Sequence, residues 1–136
     1  MFGSRIGTVS YTEFNGEKIF GSNSTSPTYM RRDRDAAVSL RNTLLEKYPD
    51  VMSTENIGRR PNEVLFHAET TALLRAAKTN GGTLAGQTLE VQSDRPLCQS
   101  CRTILPYVGL ELGNPTVTFV DPTGLRQTVR NGKWVK

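Results

Sequence analysis

Apolar and polar positions along the chain change period several times, and each change predicts an element. Arg5 to Phe14 is rich in Ile, Val, Thr and Tyr, Asn15-Gly16 supplies the residues of a tight turn, and Glu17 to Phe20 resumes the extended pattern. This predicts a β-hairpin. "GSNSTSPT" at Gly21 to Thr28 is polar and turn-rich and reads as a loop. From Asp33, apolar residues recur at Ala36, Ala37, Leu40, Leu44 and Tyr48, a helical spacing with an acidic first turn that Pro49 ends. A polar connection runs to Glu63. "VLFHAETTALLRAAKT" then predicts a second helix starting near Phe66 and closed by Gly81-Gly82.

"TLEVQS" at Thr88 to Ser93 has the look of a short buried strand, and Pro96 opens a third helix at a position where proline is tolerated. That helix carries both cysteines and is expected to break or kink near Pro106. "TVTFV", "DPTG" and "LRQTV" spell strand, turn and strand, and Asn131-Gly132 turns the chain into "KWV". The order β, β, α, α, β, α, β, β implies a mixed sheet covered by helices. Leu73, Leu74, Ala76, Ala77, Ile104, Leu105, Tyr107 and Val108 are expected in the core, with Trp134 at the sheet edge.

Length and composition narrow the class. At 136 residues the chain is the size of one domain, spanning 1–136, large enough for a core without disulfides. Hydrophobic residues are 36% of it and none of its apolar runs nears the ~20 residues of a spanning helix, so no membrane partner is expected. "MFGSRIGTV" has no apolar h-region, so no signal peptide is expected within it. A net charge of +4 favours polyanionic partners, and the clusters "RRDR" at Arg31 to Arg34 and Arg59-Arg60 are the candidates to hold phosphates.

The chemistry concentrates in two segments, "FHAETTALL" at Phe66 to Leu74 and "DRPLCQSC" at Asp94 to Cys101, which contain the sole histidine and both cysteines. Zinc takes thiolate and imidazole ligands, and a catalytic site keeps three protein ligands with a fourth position open. One His and two Cys match that count. Cys98 and Cys101, three apart, lie on one face at a helix start, where unpaired N–H groups and the helix dipole stabilise thiolates. His67 and Glu69, two apart, converge only at the first turn of a helix. A carboxylate beside a zinc-activated water can carry its proton to a leaving amine, and H-x-E with a later P-C-x-x-C is the pattern of zinc nucleobase deaminases. Here Leu97 stands between Pro96 and Cys98, a departure from that pattern. The competing assignment for C-x-x-C at a helix start is a thioredoxin-like redox protein, but Cys101 to Pro115 is short for that fold's intervening elements.

"HAE" and "PLCQSC", set on helix, strand and helix, resemble the cytidine deaminase superfamily over roughly residues 5–136. The basic chain, the polar stretch before the HAE helix and the ending "TVTFVDPTGLRQTVRNGKWVK" are similar to the C-terminal deaminase domains of bacterial polymorphic toxins, closest to the branch acting on cytosine in single-stranded DNA. The resemblance implies a three-layer α/β/α fold with a mixed sheet of about five strands and a C-terminal antiparallel hairpin at Thr116 to Val129. It implies Zn2+ held by His67, Cys98 and Cys101, with Glu69 moving the proton as cytosine is hydrolysed to uracil, a C–N hydrolase acting as a mutagenic toxin. Substrate contacts are expected from Phe66 and Ala68 beside the histidine, from Ser93, Asp94 and Arg95 at the base, and from Arg31, Arg32, Arg59 and Arg60 at phosphates. The implied partners are single-stranded DNA, a cognate immunity protein and a larger secreted carrier, with action in the cytoplasm of a recipient cell. Free cytidine or deoxycytidine, RNA, and a non-enzymatic zinc-stabilised nucleic-acid-binding module are the other functions the residues allow.

Overall fold

The β-branched and aromatic residues of Val9–Phe14 (β1) pair with Glu17–Ser22 (β2) across the turn at Gly16, whose φ of +81° is the left-handed conformation such a turn demands. The structure, a computed structural model, describes residues 9–14, 16–22, 27–50, 67–97 and 99–135. Three helices occur among them: Arg31–Lys47 (α1), Ala68–Thr79 (α2) and Gln99–Glu111 (α3). The remaining strands are Thr88–Ser93 (β3), Thr116–Val120 (β4), Arg126–Arg130 (β5) and Lys133–Val135 (β6). They form one mixed sheet in the order β2-β1-β3-β4-β5-β6. Only β3 and β4 run parallel, joined through α3, while β4 to β5 and β5 to β6 are antiparallel. The sheet therefore has six strands where about five are expected, "KWV" adding the last.

One face of this sheet is dry. Thr12, Phe14, Leu89, Val91, Val117, Phe119 and Val129 share it by register, and all are buried. α2 lies over β1 and β2, α3 lies over β5, and α1 packs its Ala37, Leu40 and Leu44 stripe against both of those helices. The opposite face presents exposed Glu13, Lys18, Phe20, Glu90 and Arg126. The expected α/β/α layering is thus not found among the described residues: the three helices stand on the same side, and the alternation of buried Leu89 and Val91 with exposed Thr88 and Glu90 is that of a sheet covered on one face.

Of the break or kink expected near Pro106, the break does not occur: α3 runs through Pro106 as one helix. Proline has no N–H to donate to the carbonyl four residues earlier, that of Arg102. Trp134 on β6 supplies the missing donor, its Nε1–H bonding Arg102 O at 2.6 Å, while its ring meets Phe119 edge-on at 6.1 Å between centroids. The indole thus replaces a helical hydrogen bond and ties the last strand to the helix that carries Cys101.

Another long-range tie is Arg75 on α2. Its guanidinium donates Nε to Asp33 Oδ1 at 2.9 Å, Nη1 to Phe20 O at 2.9 Å and Nη2 to Thr28 O at 3.0 Å, joining α1, β2 and the turn before α1. Asp33 also accepts the Met30 N–H at 2.8 Å, which satisfies a donor at the start of α1. Burial pushes the Asp33 carboxyl up, but the hydrogen bonds from Arg75 and Met30 and the nearby guanidinium charges outweigh it and hold the group below the ordinary carboxylate range.

Candidate metal centre

α2 begins at the motif. His67 is its N-cap residue, extended at φ −83° and ψ 163°, and Ala68 and Glu69 are its first two helical residues. The helix start expected near Phe66 falls one to two residues later, and this is the placement that lets residues two apart converge. The His67 carbonyl accepts the Thr71 N–H at 3.1 Å and the Thr71 Oγ1–H at 3.0 Å, so the residue is fixed from its backbone side. Thr71, which hydrophobic patterning overlooks, thus anchors the His67 backbone; a threonine four residues after the histidine at a helix start is the available signal.

The seat of the helix is set by a glycine. A Cβ on Gly21 of β2 would lie 2.3 Å from both Ala68 O and Ala72 N, distances no side chain can occupy. Strand and helix thus meet backbone to backbone beside the motif, and Ala68 is fully buried in that contact. Its place is in the packing of α2 on β2.

From the other side comes α3, following the carboxyl end of β3. Cys101 is its third residue and is buried. His67 Nδ1 lies 3.3 Å from Cys101 Sγ, and the ligand atoms of His67, Glu69 and Cys101 all fall within 4.8 Å of one another. Glu69 is 5% exposed and Cys101 3%, whereas the His67 ring is half-buried, so the cluster is enclosed on the protein side. Two helix N-termini point their partial positive charge at one spot, which favours anionic thiolate and carboxylate, and two such anions with an imidazole make a place for a cation. These three residues form a group that could hold a metal ion.

The donor set of one nitrogen, one sulfur and one carboxylate oxygen fits zinc. Cys98, Phe66, Arg59 and Arg60 lie outside the described residues. Of the other expected contacts, Ser93 ends β3 half-buried, its hydroxyl accepting from Ser10 at 3.4 Å, while Asp94 and Arg95 form an exposed bend leading toward α3. These three lie at the carboxyl end of β3, from which the chain enters α3 and reaches Cys101. Arg31 and Arg32 do not; they open α1 as exposed residues, and Arg32 lines a groove along the flank of α2. Leu97 is partly buried and packs on the core, so the residue that departs from the motif serves as a hydrophobic anchor just before α3. No family model matches the chain, and no curated protein matches it.

Proposed function

We propose that the protein is a zinc-dependent deaminase that hydrolyses cytosine to uracil in single-stranded DNA, with His67, Cys98 and Cys101 as ligands and Glu69 as the acid/base. The observation that carries this is the convergence of His67, Glu69 and Cys101 at two helix starts, ligand atoms within 4.8 Å. A metal bound there supplies Lewis acidity that brings the pKa of a bound water to about 7. The chain's own part is to hold the reacting groups. Thr71 and the N-cap geometry fix His67, burial of Glu69 keeps its carboxylate in a low-dielectric setting, and that carboxylate takes a proton from water and delivers it to the departing amine. Ser93, Asp94 and Arg95, at the end of β3 that leads into α3, are the residues proposed to read the base. A flipped or unpaired base is required, because the target carbon is hidden in a duplex stack. The same chemistry extends to a role as a mutagenic toxin domain carried on a larger secreted polypeptide, delivered to a recipient cell's cytoplasm and neutralised by an immunity protein.

The test is incubation of zinc-loaded protein with single-stranded DNA, duplex DNA and RNA, followed by sequencing for C-to-T changes, beside a mass-spectrometric panel of cytidine and deoxycytidine. C-to-T conversion highest in single-stranded DNA is expected; conversion in none of the substrates refutes the proposal, and turnover of nucleosides alone moves it to nucleoside deamination.

A further inference from the structure

Arg102 follows Cys101 on α3, and no step of the proton transfer uses it. It is exposed, whereas Cys101 is buried with its Sγ 3.3 Å from His67 Nδ1. Consecutive Cα atoms are about 3.8 Å apart, so the Arg102 side chain leaves the backbone one residue from the candidate metal centre. Both its main chain and its side chain are anchored. The carbonyl accepts the Trp134 Nε1–H at 2.6 Å, and Nη1 and Nη2 donate to the Gln127 amide oxygen at 2.7 and 3.1 Å, the amide standing in the orientation that satisfies both groups. This anchor differs in kind from those of Arg75 and Arg126, which pair with the carboxylates of Asp33 and Glu90 and are neutralised by them. A glutamine amide orients a guanidinium by hydrogen bonds and leaves its charge whole. Among the described residues no carboxylate pairs with Arg102. Its place in the fold is also informative: Gln127 lies opposite Phe119, next to last in β4, and β3 and β4 are the parallel pair of the sheet. The guanidinium is thus held toward the carboxyl ends of parallel strands, where open α/β sheets bind their ligands.

We infer that Arg102 holds a phosphate of the single strand beside the target nucleotide, with Gln127 as the positioning residue that aims its guanidinium. The planar fork matches two phosphate oxygens, and an orientation set before binding spares the rotamer freedom that a loose side chain would lose. Phosphate contacts fix the register of a strand, so a cation one residue from a metal ligand sets which nucleotide reaches the centre. The inference rests on the proposed function and deepens it by naming a grip on the substrate's backbone. Its test is binding without turnover: a protein that binds through Arg102 and deaminates nothing keeps this inference and loses the other, and one that converts cytosine but binds equally well without Arg102 does the reverse.

The experiment is fluorescence anisotropy with a dye-labelled single strand of about 20 nucleotides and the zinc-loaded Glu69→Gln protein, titrated from about 50 to about 200 mM salt. Each single-strand phosphate contact contributes about 0.7 to the slope of log K against log salt. Arg102→Ala should therefore flatten the slope by about 0.7 and weaken binding roughly 5- to 20-fold at the low-salt end. Gln127→Glu keeps the tie to Arg102 but neutralises the guanidinium, so it should weaken binding roughly 3- to 20-fold while the thermal midpoint is held or raised. A tie that served the fold alone would lose no binding from that change. Asn42→Glu adds the same charge at an exposed position on α1 and should cost less than about twofold. Should Arg102→Ala melt well below the parent, Gln127→Glu still decides, because its tie is intact. Binding by Gln127→Glu within about threefold of the parent, an equal loss from Asn42→Glu, or an unchanged salt slope in a folded Arg102→Ala protein would each overturn the assignment.

Discussion

Trp134 and Pro106 form an unusual pairing whose energetics can be isolated by a double-mutant cycle. Proline 106 deprives Arg102 O of its helical donor, and the indole N–H replaces it at 2.6 Å. Replacing Trp134 by Phe keeps an aromatic ring against Phe119 but removes that donor. A hydrogen bond of this kind contributes about 0.5–1.5 kcal/mol net, and Arg102 is exposed enough for water to relieve part of the orphaned carbonyl. In a Pro106→Ala background the restored backbone N–H can serve Arg102 O, so the same Trp134→Phe change should lose only packing. The cycle is therefore expected to give a coupling of about 1 kcal/mol, with Trp134→Phe costing more in the presence of proline. Urea unfolding at 25 °C measures it, and thermal melts should follow at roughly 3–5 °C per kcal/mol for a chain of this size. A coupling within about 0.3 kcal/mol of zero would refute the replacement of the helical bond by the indole.

Two glycines should respond with opposite signs. Gly21→Ala places a methyl 2.3 Å from backbone atoms of α2 and should cost about 3 kcal/mol and lower zinc occupancy by displacing His67, whereas Gly109→Ala meets only Val129 Cγ1 at 3.5 Å within α3 and should be neutral or stabilise by up to about 1 kcal/mol. Denaturation midpoints and metal content test both, and an unchanged midpoint for Gly21→Ala contradicts the backbone contact. Asp33→Asn should destabilise by about 2–4 kcal/mol at neutral pH by leaving Arg75 without its charge partner. Because the folded carboxyl is held below its ordinary range, its contribution is complete above the unfolded value of about 3.9 and is lost as pH falls through the folded value. The gap between wild type and Asp33→Asn should thus be flat above pH ~5 and close in stronger acid; a gap that widens on acidification refutes the sign.

Local pattern was sufficient where local physics decides. "TLEVQS" and "TVTFV" are strands over the residues expected, since alternation and β-branching act within a few positions, and the helix start at His67 lies within two residues of expectation. The closeness of His67 and Glu69 to Cys101 was legible in the ligand count. That α3 runs on through Pro106 was not legible, because the compensating donor comes from Trp134, 28 residues later in sequence, which no local rule includes. That the three described helices share one face of the sheet had a signal in the sequence: Leu89, Glu90, Val91, Gln92 alternates, as a half-solvated strand does. Gly21 gave no sign of its role, because a close approach of backbones is visible only once strand and helix are brought together.

The central claim is that one metal centre forms at the starts of α2 and α3 and that Glu69, within ligand distance of His67 and Cys101, acts on the proton and does not hold the ion. Zinc content and cytosine turnover measured together on wild type and Glu69→Gln test it most directly. The account predicts about one zinc per chain in both proteins, as in a three-ligand catalytic site, with C-to-U conversion abolished in the variant. Loss of the zinc from Glu69→Gln, or turnover that survives the substitution, would contradict it.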